Sequence, residues 1–260
     1  MLRLILSGCC GKMGRYVRDV AARCDDIEIV AGVDIAENAE TDFPVFESFE
    51  YIGFSADAVV DFSSPSALPC LLRYIERTRT PAVIATTGLS ESEIEDISHA
   101  SGSAAIFFSS NMSLGINAVY NAVKMLSGAL FCGFDVDIIE THHKEKKDMP
   151  SATALLLSDA VNIGRNKPTE NVQFESSAAK ARDKSDVIIH SLRAGNSVGE
   201  HSVIFSGEDE VIEVRHTSRS RRVFAEGALD AARFIATKKS GLYTMKDLLL
   251  TKKRIIKNGL

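Results

Sequence analysis

No apolar run in the 260-residue sequence approaches the roughly 20 residues that a membrane-spanning helix requires, so no membrane association is expected. The apolar part of the N-terminal MLRLILSG is too short for the core of a secretory signal. Basic excess is also missing. The formal net charge is −5, which argues against a general nucleic-acid binder, and any anionic ligand would need a local cluster of donors. Cysteines are few and unpatterned: Cys9, Cys10, Cys24, Cys70 and Cys132 form no CxxC pair and, being odd in number, cannot all pair. That usage suits a reducing cytosol, and a cytoplasmic location is expected. With 45% hydrophobic and 25% charged residues, the chain can build its core without disulfides or structural metals.

What is present is strand–helix alternation. LRLILS (2–7), IEIVAGVD (27–34), ADAVVDFS (56–63), PAVIATTG (81–88) and AAIFFSS (104–110) read as strands. Between them KMGRYVRDVAARC, PSALPCLLRYIER and SESEIEDISHASG read as helices, the last opening on Ser90 with Glu93 three residues on, a capping-box pattern. Such alternation predicts an α/β fold with a parallel sheet of Rossmann type. After Asn111 a helical stretch (113–130) leads to FDVDIIE (134–140), with period-2 alternation. VQFE, SDVIIHSLR, HSVIFSGEDEVIEVRH and RRVFAEG then read as successive β-segments, predicting an inserted α+β domain with a mainly antiparallel sheet. The tail from Ala228 returns to helix.

Two segments carry chemistry. Gly8-Cys9-Cys10-Gly11-Lys12-Met13-Gly14 follows a strand and opens a helix, where backbone amides and the helix dipole favour a pyrophosphate. The spacing is GxxGxxG, so a turn that uses glycine only for geometry is the alternative. Asp34, 26 residues beyond Gly8, ends the second strand and can accept from adenosine ribose hydroxyls, or be a solvated strand end. Cys9 and Cys10 fill the tight turn, with redox sensing as the competing reading.

The second segment runs from Glu140 to Thr153. His142 and His143, with Lys144, Lys146 and Lys147, gather positive groups between a strand and a helix start. Ser151, Ala152 and Thr153 follow Pro150 in N-terminal helix context, where backbone amides bind anions. Together these suit a small dicarboxylate and a proton transfer. A metal site built on the adjacent histidines with Asp148 and Glu140 is the rival. HxxxH and HExxH are both absent, the lysines repel cations, and no metal is expected. For His190, His201 and His216, packing or surface roles are the default.

At these residues the sequence resembles the 4-hydroxy-tetrahydrodipicolinate reductase family, along essentially its whole length. The markers are GCCGKMGR (8–15), VDFSSP (60–65), ATTG (85–88), SSNMSLGIN (109–117), ETHHKEKKDMPSATA (140–154), RAGNSVGEH (193–201) and the C-terminal SGLYTMKDLL. HHxxKxDxPSxTA is the most specific. The resemblance implies a dinucleotide-binding domain of 1–113 plus 222–260, and a substrate-binding and oligomerisation domain of 114–221. It also implies a homotetramer, NADH or NADPH as cofactor, and reduction of 4-hydroxy-2,3,4,5-tetrahydrodipicolinate to tetrahydrodipicolinate in lysine and diaminopimelate biosynthesis.

By the same resemblance His142 looks like the proton donor and acceptor, and Lys146 like a second acid. His143, Ser151, Ala152 and Thr153 match substrate-carboxylate contacts. Ala85, Thr86, Thr87 and Ser109, Ser110, Asn111, Met112 match segments along the nicotinamide, and Arg221 and Phe224 resemble hinge residues. Three positions depart from the family pattern: Ala152 and Ala85 replace glycine, and Met112 stands where an aromatic residue is common. A nicotinamide-sensing protein, or another reductase of amino-acid metabolism, is the competing function. His142, Lys146 and Thr153 speak against the first, and the HHxxKxDxPSxTA element against the second.

Overall fold

The computed structural model describes all residues except 37–39, 131–132, 168–171, 175–182, 184–185 and 259–260, with the side chains of 172–174 and 252–258 also left aside. Two compact units emerge: Met1–Leu114 with Arg221–Leu260, and Gly115–Ser220. The divisions fall at 114/115 and 220/221, against the expected 113/114 and 221/222. Among the described residues no helix is long and apolar enough to cross a membrane.

In chain order the first unit begins with β1 (Leu2–Ser7), α1 (Lys12–Ala21), β2 (Ile27–Val33), β3 (Val45–Phe46) and β4 (Ala58–Asp61). It continues with α2 (Leu68–Thr78), β5 (Ala82–Ile84), α3 (Glu91–Ala100) and β6 (Ala105–Phe108). The intervening elements of the second unit are α4 (Leu114–Ala129), β7 (Asp135–His142), α5 (Ala152–Gly164), β8 (Val172–Phe174), β9 (Val187–Arg193), β10 (Gly199–Ser206) and β11 (Val211–Ser218). The chain then returns to the first unit as α6 (Arg222–Ile235), β12 (Gly241–Tyr243) and α7 (Met245–Asn258).

The first unit is a seven-stranded sheet in the order β12-β6-β5-β4-β1-β2-β3, parallel throughout. Its central strands are apolar on both faces because helices cover both. Leu4, Leu6, Val60 and Phe107 pack with residues of α1, α6 and α7, whereas Ile5, Val59, Ile84 and Ile106 pack with those of α2 and α3. α3 carries the expected capping box: Ser90 Oγ accepts from the Glu93 amide and Glu93 accepts from the Ser90 amide. Strand order reverses direction at β1, whose neighbours are β2 and β4, and the carboxyl edge there is where α/β sheets bind ligands.

The second unit has a five-stranded sheet, β11-β10-β7-β9-β8. β7 alternates half-buried and buried residues along its whole length, the pattern of a sheet covered on one face. Val136, Ile138, Val203 and Phe205 meet Leu157, Ala160 and Val161 of α5 and Val123 of α4. The sheet is mixed rather than mainly antiparallel: β11–β10 and β10–β7 run antiparallel, but β7–β9 and β9–β8 are parallel. α5, lying between β7 and β8, supplies the helical crossover that a parallel return beside β7 requires.

Two further expectations need correction. RRVFAEG is not a β-segment but the start of α6, whose buried Ala225, Ala228, Leu229, Ala232 and Ile235 recur at helical spacing. Seven residues span less than two turns, too few to reveal that spacing. The tail is not uninterrupted helix either, because Gly241–Tyr243 adds an edge strand parallel to β6. β3, only two residues long, offers too little pattern to be read in advance.

Candidate active site

In the first unit the glycine-rich turn joins β1 to α1. Gly8 has φ +73°, and a Cβ there would lie 2.5 Å from the Phe62 carbonyl oxygen at the end of β4, so backbone approaches backbone closely. Gly11 is the N-cap of α1 and supplies no side-chain acceptor to its first-turn amides. The Cys10 amide donates to Asp34 Oδ2 at 2.8 Å and the Ala36 amide to Asp34 Oδ1 at 3.1 Å, tying the end of β2 to the turn. A cavity of about 430 Å³ opens here, lined among others by Gly8, Gly11, Asp34, Glu47, Ser63 and Ser66. Lys12 is exposed and Met13 half-buried at its edge of the turn. Close backbone, helix-end amides and a strand-end carboxylate fit a dinucleotide.

Cys9 is fully buried, and burial pushes its thiol up to about 12, so it is an inert filler of the turn rather than a redox sensor. Met112 is also buried, at 2% exposure within the core of this unit, so a ligand could meet only its main chain. Thr86 donates its hydroxyl to buried Asp61 Oδ2 at 2.6 Å, and Ser63 donates to Oδ1 at 2.6 Å. Burial raises the Asp61 carboxyl above its ordinary value, against these donors. Asp61 thereby anchors the 85–88 loop, whose Ala85 is buried and whose Thr87 is exposed. Ser109 and Asn111 hold their own loop: Ser109 Oγ donates to the Asn111 carbonyl at 2.8 Å, and the Ser113 amide to Asn111 Oδ1 at 3.0 Å. Ser110 is exposed, while Arg221 and Phe224 are half-buried at the start of α6.

The second unit builds a polar cluster on the helix-covered face of its sheet. Glu140 and His142 are two apart on β7 and so point to the same side. Register sets His201 of β10 opposite Glu140, and Arg193 of β9 opposite His142. His142 Nδ1 bonds Glu140 Oε2. Arg193 clamps the same carboxylate from across the sheet, Nη1 to Oε2 at 2.9 Å and Nη2 to Oε1 at 2.8 Å, and the Ser151 amide donates to Oε1 at 3.2 Å. Arg193 and the other donors outweigh burial and hold Glu140 down to about 2.

His201 packs edge-on against His142 with ring centroids 5.1 Å apart. Ser151 Oγ accepts from the Ala154 amide as N-cap of α5 and lies 3.1 Å from His201 Nε2. Burial, reinforced by His142, pushes His201 down to about 3, so its ring stays neutral at ordinary pH. His142 is lowered as well, mainly by burial, with Glu140 opposing.

The 143–147 loop curls beside this cluster. The Lys146 amide donates to the His143 carbonyl at 3.1 Å, closing the turn, and the His143 amide donates to the Ser197 carbonyl at 2.9 Å. Lys146 Nζ meets both oxygens of Asp148, at 2.8 and 2.6 Å. At the start of α5, Ala152 is exposed and Thr153 half-exposed. The three potential ligand atoms of Glu140, His142 and His201 lie within 4.8 Å of one another. Arg193 already fills the cation's place on both Glu140 oxygens, so the donor set is poorly suited to a metal.

Sequence reasoning assigned no site role to Arg193 or Asp61 and left His201 to packing. RAGNSVGEH and VDFSSP contain them, but what they touch depends on strand register.

Family models described as "Dihydrodipicolinate reductase, N-terminus" and "Dihydrodipicolinate reductase, C-terminus" match residues 2–112 and 115–249. The 4-hydroxy-tetrahydrodipicolinate reductase of Caldanaerobacter subterraneus subsp. tengcongensis is 45% identical over 249 residues, covering 96% of this chain and 98% of the relative. That of Clostridium tetani is 44% identical, covering 96% and 97%. Among solved structures, a dipicolinate-bound dihydrodipicolinate reductase from Paenisporosarcina sp. TG-14 has the same fold, with a TM-score of 0.75 at 21% identity over 94% of this chain and 97% of that one. The chain belongs to the 4-hydroxy-tetrahydrodipicolinate reductase family.

Proposed function

We propose that this chain reduces 4-hydroxy-2,3,4,5-tetrahydrodipicolinate to tetrahydrodipicolinate with NADH or NADPH, in lysine and diaminopimelate biosynthesis. The observation that carries the reading is the 140–153 segment, which sets an imidazole, an ammonium and helix-end amides in one small region of the second unit.

When bound, the nicotinamide dinucleotide supplies hydride. Gly8, Cys9, Cys10, Gly11, Lys12 and Met13 would hold its pyrophosphate, Asp34 its ribose, and the 85–87 and 109–112 segments its nicotinamide end. In the second unit His143, Ser151, Ala152 and Thr153 would grip the substrate carboxylates. His142 and Lys146 would hold and move the protons that hydride addition and loss of water demand. Lys146 pairs with Asp148, whose carboxyl it holds below the ordinary value.

A homotetramer in the cytoplasm completes the reading. It is supported by the uncovered face of the second unit's sheet, where Leu192 and Val211 are 52% and 65% exposed. Light scattering should return a mass near four times the 28.2 kDa chain. The activity test is NADH oxidation in an assay fed by condensation of pyruvate with aspartate-semialdehyde. Oxidation that depends on both precursors supports the function, and its absence from folded protein would overturn it.

A further inference from the structure

His142 stands in a bond pattern more specific than its role as a proton donor requires. Its Nδ1 faces a carboxylate clamped by the donors Arg193 Nη1 and Nη2 and the Ser151 amide, with the Ser191 hydroxyl also bonded to it. A carboxylate in that setting is held as an acceptor, so the hydrogen on Nδ1 belongs to the imidazole. The other ring nitrogen faces Gly199 at the start of β10, where an added Cβ would lie 3.0 Å from Nε2. The missing side chain leaves room at the Nε2–Cδ2 edge of the ring, nearest Nε2. His201, pressed edge-on against the ring, and the Nδ1 bond to Glu140 restrain the imidazole from rotating.

We propose that Glu140, clamped by Arg193, is the positioning residue that keeps His142 as the Nδ1–H tautomer, so that Nε2 carries the proton to and from the substrate. The proposal rests on the reading of His142 as proton donor given above. In the step itself the imidazolium Nε2–H bond breaks and its proton joins the substrate. The neutral ring that remains keeps Nδ1–H directed at Glu140, and the positive charge of the imidazolium is lost. Glu140 touches no substrate in this scheme and stays ionised throughout.

Glu140→Gln separates this role from simple packing. At the Oε1 position an amide nitrogen would face two donors, Arg193 Nη2 and the Ser151 amide. At the Oε2 position it would face one obligate donor, Arg193 Nη1, together with His142 Nδ1, which can become an acceptor by moving its hydrogen; the Ser191 hydroxyl on the same group can donate or accept and so suits either orientation. The glutamine nitrogen therefore settles against His142 and drives it to the Nε2–H tautomer.

Nitrogen-15 spectra of histidine-labelled full-length protein, with His142 assigned by its loss in His142→Gln, read the tautomer above its titration. The expected wild-type result is a protonated Nδ1, reversed in Glu140→Gln. In that variant kcat should fall by on the order of 10²-fold with NADH affinity unchanged. The basic limb of its pH profile, where the donor imidazolium is lost, should also move to lower pH as the imidazolium loses its counter-ion. Arg193, Lys146 and His201, with His216 opposite His201 on β11, also face this ring or its neighbour and remain in place, so the shift reports Glu140.

A wild-type Nε2–H tautomer would overturn the proposal, as would an unchanged tautomer and rate in Glu140→Gln. Should the variant fail to fold, the wild-type spectrum decides. No turnover by wild-type protein would remove the substrate reading, whereas the tautomer measurement tests the positioning contact separately.

Discussion

The Cys10 amide donates to the Asp34 carboxylate at 2.8 Å, joining the glycine-rich turn to the end of β2 alongside the Gly8 amide, which donates to the Val33 carbonyl. With the Ala36 amide on the other oxygen, Asp34 retains acceptor capacity for ribose hydroxyls. Glu47 lines the same cavity. Two carboxylates there would repel a 2′-phosphate, and no arginine follows Asp34 to offset them. NADH should therefore be used at least as well as NADPH, with exposed Lys12 the one cation of the turn able to favour the phosphate. Parallel kcat/KM determinations check this, and a tenfold NADPH preference, about 1.4 kcal/mol, would refute it.

Substrate grip is assigned to the start of α5. The Ser151 amide donates to Glu140 and the Ala154 amide to Ser151 Oγ, and the carboxylate reading is tested at the two residues between them, Ala152 and Thr153. Thr153→Val should raise substrate KM by an amount equivalent to roughly 1.5–3 kcal/mol while leaving NADH affinity unchanged. Ala152→Gly should change little, because the amide is retained. An unaltered KM in folded Thr153→Val would place the carboxylate elsewhere.

The contrast between these residues and their supports explains what could be read in advance. His142, Lys146 and Thr153 lie within twelve consecutive residues, so strand end, turn and helix start bring them together by local geometry. Arg193 and His201 reach the same cluster only because β9 and β10 flank β7 in one particular register, and composition does not encode register. The parallel sheet was legible because each strand alternates with a helix along the chain. The mixed order of the second sheet was not, since a run of strands without their pairing suits several topologies. α6 was misread at its start for the same local reason: Arg222–Gly227 shows less than two turns.

Acid should unfold the second unit through two linked groups. Glu140 titrates at about 2 when folded against an ordinary 4.5, so its stabilising contribution is present above pH 4.5 and is lost as pH falls toward 2. His201 sits near 3 when folded against 6.5, so the unfolded chain takes up the extra proton first, and stability declines from pH 6.5 downward. Urea midpoints should fall steadily between pH 7 and 4. His201→Gln should flatten the upper part of that slope, and an unchanged slope in this variant would assign the loss to other groups.

The proposed acid pair, His142 and Lys146, gives the sharpest outcome. Hydride addition leaves negative charge to be protonated, and the departing hydroxyl must leave as water, so two acids are needed. His142 is buried with Nε2 toward Gly199, and Lys146 pairs with Asp148 at the turn that follows. His142→Gln and Lys146→Ala should each cut kcat by roughly 10²–10⁴-fold. NADH binding, followed by fluorescence titration, should stay near wild type in both. Lys146→Arg discriminates further: a guanidinium keeps the positive charge but does not give up its proton. If Lys146 acts as an acid, Lys146→Arg should be nearly as impaired as Lys146→Ala. If it only attracts the substrate, the arginine variant should recover most of the rate. Near-normal turnover in His142→Gln or Lys146→Ala would remove that residue from the mechanism, and lost NADH binding would point instead to a damaged fold.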